Sequence, residues 1–234
     1  MIVSNTLAAL RIKAATATIP IVFTTGSDPI RDGLVTSVSR PGGNMTGVVF
    51  ITSVLGAKRL ELLSQLVPKA TNIAMLVYPG TPETDAERKE VEAAAQVVGR
   101  QVDFLEVRST GDVETAFATL ASHQADALLI GTGTFMGNAR GLLVALAARH
   151  AMPTMYANLE SVEAGGLMGY GASMPDAYHQ AGLYTGRILK GEKAGDLPVM
   201  QSTKFRFAIN LNAAKALGLE FHPQLLATAD EVIE

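Results

Sequence analysis

The chain has 234 residues, 19 Lys+Arg against 22 Asp+Glu, a formal net charge of -3, 48% hydrophobic side chains and no cysteine. This composition excludes a disordered tail, a collagen-like repeat and a disulfide-stapled miniprotein, and the lack of Cys removes thiol catalysis, Cys zinc sites and iron–sulfur clusters. Interspersed, nearly balanced charge gives no electrostatic ground for nucleic acid or an anionic membrane as partner, and the length fits one large domain or two lobes.

Short runs rich in Ile, Val, Leu and Met alternate with longer stretches of helical period, the pattern of a parallel sheet covered by helices on both faces. The expected class is α/β. In chain order the pattern predicts a helix over 6–15, strands over 19–23 and 45–51, a helix over 54–66 and a strand over 72–77. A helix over 83–98, a strand over 102–107, a helix over 113–122 and a strand over 125–130 follow. The last predicted elements are a helix over 138–150, strands over 154–156 and 167–170, and a helix over 175–190. In the 83–98 helix, Val91, Ala94, Ala95 and Val98 form the apolar face, with Glu87, Arg88, Lys89 and Glu92 read as its solvated side. Arg11 and Lys13 interrupt the first apolar stretch, so no export signal is expected in the chain as written, and no window reaches the roughly 18 apolar residues of a membrane span.

Three loops concentrate glycine, proline and hydroxyls: 24–32 (TTGSDPIRD) followed by 40–47 (RPGGNMTG), then 78–84 (YPGTPET) and 131–138 (GTGTFMGN). All are read as following strand carboxyl ends, where ligands bind in open α/β sheets. Paired glycines make 43–47 and 165–171 candidate hinges.

The four histidines are far apart and form no ligand pair, and neither a phosphate-binding Walker motif nor a nucleophile elbow is present. Gly131, Gly133 and Gly137 approach a dinucleotide fingerprint, but the third glycine falls one residue late. No cofactor and no metal are expected. The Gly-Thr-Gly-Thr backbone instead suits a carboxylate, which its N–H groups and hydroxyls could receive. Glu160 is a candidate for a ligand ammonium, with Glu163 read equally well as a solvated acid. Asp28 either caps its turn or receives a ligand amine. Tyr156 and Tyr170 either wall a pocket or pack at the core edge, and Asp176 reads first as helix-start chemistry.

The stretches IPIVFTTGSDPIRDGLVTSVSRPGGNMTGV, LAARHAMPTMY, VEAGGLMGYG, RILKGEKAGDLPVMQSTKFRFAINLNAAKALGL and ADEVIE, in this order, resemble the substrate-binding proteins of ABC importers, in the family that includes tryptophan- and tyrosine-type binding lipoproteins. The resemblance implies a type I periplasmic-binding-protein fold, with two doubly wound parallel-sheet lobes joined by three crossovers and a ligand held between them without chemistry. Carried over position by position, it puts Thr25 and Asp28 on the first lobe's ligand rim, Thr81 and Thr132 on the second's, and Tyr156, Glu160, Tyr170 and Gly171 near the hinge. The chain departs from the family pattern at Tyr78-Pro79 (commonly Asn-Pro), Gly133-Thr134 (Asp-Pro) and Gly169-Tyr170-Gly171 (Ser-Tyr-Gly).

Members of that family begin with an export signal and further βα units before the helix that here starts at Thr6, so the first lobe is expected to be incomplete. Its open sheet edge would be poorly ordered or covered by a second copy in a homodimer. The expected division is a partial first lobe over 1–45 and 171–202, a second lobe over 46–170, and a C-terminal crossover and helix over 203–234. The resemblance implies a non-enzymatic receptor for an amino acid or similar zwitterion. Hydroxyl and backbone donors would take the carboxylate, Glu160 or Asp28 the ammonium, and an ABC permease would be the partner. It also implies a periplasmic or lipid-anchored cell-surface location. The alternatives are an isomerase-like α/β enzyme using the same crevice and a ligand-sensing regulatory module.

Overall fold

The computed structural model describes residues 1–50 and 55–234. Two compact units divide the chain, Met1–Ile51 with Ala172–Lys204 and Thr52–Gly171 with Phe205–Glu234, so the chain crosses three times.

Unit 1 opens with β1 (Ile2–Ser4), α1 (Thr6–Ala15), β2 (Ile21–Thr25) and β3 (Met45–Val49). Unit 2 follows with α2 (Gly56–Leu66), β4 (Asn72–Val77), α3 (Pro82–Val97), β5 (Gln101–Glu106) and α4 (Thr110–Thr119). It continues through β6 (Ala127–Ile130), α5 (Thr134–Asn138), α6 (Arg140–Arg149), β7 (Thr154–Tyr156), α7 (Glu160–Glu163) and β8 (Met168–Ala172). Unit 1 then receives α8 (Met174–Leu189) and β9 (Met200–Gln201). Unit 2 ends with β10 (Phe205–Asn210), α9 (Leu211–Ala216), α10 (Pro223–Leu226) and β11 (Glu231–Ile233).

The sheet of unit 1 has the order β1-β2-β3-β9. Its pairs are parallel, and side chains alternate between two buried faces. Ile21, Phe23, Met45 and Val49 pack with Ala9 of α1, while Val22 and Val48 pack with Ala177, Ala181 and Tyr184 of α8. Both faces are buried, which is why β2 and β3 carry no charged residue and bury even Thr24, Thr25 and Thr46. β1 forms one edge of this sheet. The sequence reading missed β1, which has only three residues before Asn5 caps α1 by accepting the Ala8 N–H at 2.8 Å.

The sheet of unit 2 has the order β11-β10-β8-β7-β6-β4-β5. Ile73, Met75, Val77, Leu129 and Met155 face one core with α2 and α3, and Ala74, Leu76, Leu128, Ile130 and Tyr156 face the other with α4 and α6.

The structure moves three expected features. The lobe boundary expected at residue 45 falls after β3, because that strand pairs with β2 from Ile21↔Met45 through Thr25↔Val49. The end of the strand predicted over 45–51 and the start of the helix predicted over 54–66 lie outside the described residues. Residues beyond 204, expected as a crossover and helix, add β10 and β11 to the sheet of unit 2, and Arg206 joins Glu231 across that pair at 2.7 Å. The loop over 40–43 precedes β3 and therefore sits at the amino end of its strand, not at the carboxyl end as expected. Gly42 is fixed there by an N–H bond to the Gly195 carbonyl at 3.1 Å.

Close approach, not looseness, explains two glycines of the expected hinges. A Cβ on Gly47 would strike the Phe23 carbonyl oxygen across the β2–β3 pair, and one on Gly171 would strike the Ala157 carbonyl. Gly47→Ala is expected to destabilise unit 1 by about 3 kcal/mol. The Gly141→Ala control, on an exposed helical position with open space around it, should be neutral or slightly stabilising in the same urea melts.

Asp126 ties β4 to β6 by accepting the Thr71 N–H at 2.8 Å and the Asn72 N–H at 3.0 Å. The Asn72 backbone bond, then that of Thr71, holds its carboxyl below the usual carboxylate range. A depressed folded pKa gives stability that is complete above the ordinary value, about 4, and lost as pH falls through the folded one. The stability gap between the wild-type chain and Asp126→Asn is therefore expected to be larger at neutral pH than at about pH 2.5, measured by denaturant melts at both.

Candidate functional site

Parallel pairing decides which loops share an edge. In unit 2, β4, β6 and β7 are neighbours running the same way, so residues 78–81, 131–133 and 157–159 all leave the carboxyl edge of one sheet. In unit 1, residues 26–32 leave the carboxyl end of β2, where the Phe50 N–H closes on the Thr25 carbonyl at 2.9 Å.

Behind the rim of unit 2 lies a buried ion pair. Arg59 of α2 and Glu87 of α3 are 2% and 1% exposed, and the guanidinium donates to Glu87 Oε1. Arg59 Nε also donates to the Tyr170 carbonyl at 2.8 Å, next to the crossing at the end of β8. The other carboxylate oxygen, Glu87 Oε2, accepts both the Thr132 N–H at 2.8 Å and the Thr132 hydroxyl at 2.9 Å. Burial pulls the Arg59 guanidinium below its ordinary pKa, and attraction to Glu87 opposes that shift. Glycines make room for the pair: a Cβ on Gly56 would come within 2.7 Å of Val91, and one on Gly131 within 3.3 Å of Glu87 Oε2.

Unit 1 carries a matching arrangement. Thr25 Oγ1 lies 2.6 Å from Thr6 Oγ1 and 3.2 Å from Ser27 Oγ, and the Ser27 hydroxyl donates to Asp32 Oδ2. Asp32 keeps 4% of its side chain exposed and accepts Arg31 Nε at 3.1 Å on its other oxygen. In both units, then, a hydroxyl at the sheet's carboxyl edge donates inward to a sheltered carboxylate.

The expected site residues fall into different roles. Thr25 and Thr132 stand at the two rims, as above. Asp28 spends Oδ1 on the Ile30 and Arg31 N–H groups at 2.8 and 3.2 Å, so capping is its work here, and Asp32 is the acid held by the rim hydroxyls. Thr81 caps α3 by accepting the Thr84 N–H at 3.2 Å. Glu160 opens α7 after β7, is half-buried, and its carboxylate has no hydrogen-bond or ionic partner among the described residues. Tyr170 packs beside Phe205 and Phe207, with ring centroids 6.4 and 6.5 Å away, and gives its carbonyl to Arg59. Gly171 is a close-approach position against Ala157. Asp176 lies in the first turn of α8 and pairs with Lys204 at 2.6 Å.

One expectation is corrected. Tyr156 does not wall a pocket: it is 0% exposed, its ring fills the core between β7 and the α4 and α6 helices, and its hydroxyl, with Thr154 as its polar neighbour, closes no well-formed hydrogen bond among the described residues. Burial pushes this phenol far above the usual tyrosine range. Of the carboxylate cradle expected over 131–134, the first two residues turn their donors inward: the Gly131 N–H is taken by the Leu76 carbonyl at 2.9 Å and both Thr132 donors by Glu87.

Sequence reasoning missed Arg59, Glu87, Ser27 and Asp32. A signal existed for the first pair. Arg59 shares its helix face with buried Leu60, Leu63 and Leu66, and Glu87 shares one with Val91 and Ala95 at spacings of four and eight. Charges on an apolar stripe mark a buried pair. A groove of about 430 Å³ flanked by Leu211, Leu219, Phe221 and Leu226 includes none of the rim residues. Among the described residues, no group of three His, Asp or Glu side chains could hold a metal ion, and no helix is long and apolar enough to cross a membrane.

The family model described as ABC transporter substrate binding protein matches residues 1–233. The chain belongs to the ABC transporter substrate-binding protein family. It is 27% identical over 206 residues to the tyrosine-binding protein of Clostridioides difficile, a match covering 88% of this chain and 59% of that relative's length. A conserved domain protein from Vibrio cholerae superposes with a TM-score of 0.88 at 25% identity, covering 99% of this chain and 77% of the other. An ABC domain from Streptococcus pneumoniae in complex with L-Trp superposes at 0.87 with 26% identity, covering 99% and 80%. The fold is that of the type I periplasmic binding proteins.

Because the Tyr156 hydroxyl is buried without a well-formed hydrogen bond, Tyr156→Phe is expected to hold or raise stability, by up to about 2 kcal/mol. Paired urea melts check this, and a loss would mean that the hydroxyl is satisfied.

Proposed function

We propose that this chain is the solute receptor of an ABC importer, that its solute is an amino acid, and that it releases the solute unchanged to a membrane permease outside the cytoplasm. Family membership over residues 1–233 carries the reading. Two relatives give it direction, one described as tyrosine-binding and one seen in complex with L-Trp. The rims support it from physics. In unit 2 a sheltered carboxylate stands behind Thr132, and Glu160 adds a carboxylate with no partner of its own among the described residues, a pairing suited to an ammonium group. Glu160 is assigned the solute ammonium.

A ligand that binds only the folded chain stabilises it by about 2.7 kcal/mol at a hundred times its Kd. Thermal melts against the twenty L-amino acids are expected to show a clear rise with one or a few of them, the aromatic ones first. No shift with any zwitterion, at millimolar concentration, would remove the amino-acid reading.

A further inference from the structure

We propose that Glu87, acting through Thr132, sets the polarity of the rim of unit 2, so that Thr132 Oγ1 accepts from the solute's ammonium and does not bind its carboxylate. The inference rests on the amino-acid reading above and adds to it the residue that selects the charged end. A threonine hydroxyl has one hydrogen to give and two lone pairs to receive with. Here the hydrogen is committed, because Glu87 Oε2 lies 2.9 Å away and a carboxylate can only accept. The same oxygen takes the Thr132 N–H at 2.8 Å, and the preceding Gly131 N–H is bonded to the Leu76 carbonyl at 2.9 Å. Residues 131 and 132 therefore turn no donor outward.

Glu87 cannot swing away to release Thr132. It is 1% exposed, bonded to Arg59 through its other oxygen, and hemmed in by Gly56 and Gly131. A hydroxyl that donates to a carboxylate is polarised and becomes a better acceptor. Thr132 keeps 7% of its surface exposed at the carboxyl end of β6. Glu160 follows β7, the neighbour of β6 in the sheet, on the same carboxyl edge. Both groups suit a cation. Glu87 is a positioning residue and Thr132 the group that touches the solute.

The test is isothermal titration of the full chain and of Thr132→Val and Thr132→Ser with L-tryptophan, L-tyrosine and their des-amino counterparts, indole-3-propionate and 3-(4-hydroxyphenyl)propionate. The wild-type chain should bind an amino acid well and its des-amino counterpart at least about a hundredfold more weakly. Thr132→Val should weaken the amino acid about tenfold and leave the counterpart unchanged, while Thr132→Ser restores affinity. If Thr132→Val does not fold, Thr132→Ala replaces it in the same titrations, with the same expected loss of about tenfold for the amino acid and none for the counterpart. Equal wild-type affinity for an amino acid and its counterpart overturns the inference and leaves the proposed function standing, as does a valine variant that weakens both alike. Binding of none of the four overturns the aromatic amino-acid reading itself, and the inference with it.

Discussion

The Arg59–Glu87 pair is the interaction on which unit 2 depends. Taking two charges out of water costs several kcal/mol per ion, and attraction alone does not repay it without further hydrogen bonds. This pair obtains them from the Tyr170 carbonyl and from the Thr132 N–H and hydroxyl. Four separate pieces of the fold, α2, α3, the loop after β6 and the end of β8, must arrive in register for that to happen. Loss of either charge would leave the other buried and unpaired, a penalty of about 3–5 kcal/mol. What the pair supplies is placement: it fixes a rim loop and the strand that leads to a crossing in one bonded unit.

The glycines around the pair and along the strands follow from the same demand for close approach. Gly56 and Gly131 leave volume for the Glu87 side chain, and Gly47 and Gly171 let neighbouring backbones touch. A side chain at any of them would push strands or helices off the positions that align the rim. Polar loops of this kind lie at the carboxyl edge because parallel strands end there together, leaving peptide groups and hydroxyls to be satisfied by one another or by a solute. Unit 1 meets the requirement with the chain of hydroxyls from Thr6 through Thr25 and Ser27 to Asp32, and unit 2 with Thr132 and Glu87. Two rims of different sequence thus reach the same solution, a hydroxyl at the carboxyl edge donating inward to a sheltered carboxylate.

Much of the architecture was legible in the sequence. α1, β4 and β7 begin and end where pattern and punctuation put them: β4 carries an apolar run up to Tyr78-Pro79, and β7 follows Pro153. β1, β9 and β11, each of two or three residues, carry too little pattern to be seen. β10 was missed because Arg206 breaks its apolar run, and only the pairing with Glu231 on β11 shows why a charge is at home there. At the site, residue type names the rim hydroxyls but not their direction: the turn motif points to Asp28, while Asp32, four residues on, is the acid that the Ser27 hydroxyl reaches.

By itself the sequence determined the α/β class, the parallel sheets buried on both faces, the loops that carry hydroxyls and glycines, and the family resemblance. Those are properties of local composition and period, which each segment holds whatever its neighbours do. Only the tertiary structure decided that Tyr156 is core, that Glu87 turns inward to Arg59, and that Thr132 gives its hydrogen away from the rim. A hydrogen bond's direction depends on the partner that long-range packing brings within 3 Å, and no spacing along the chain encodes which partner that will be.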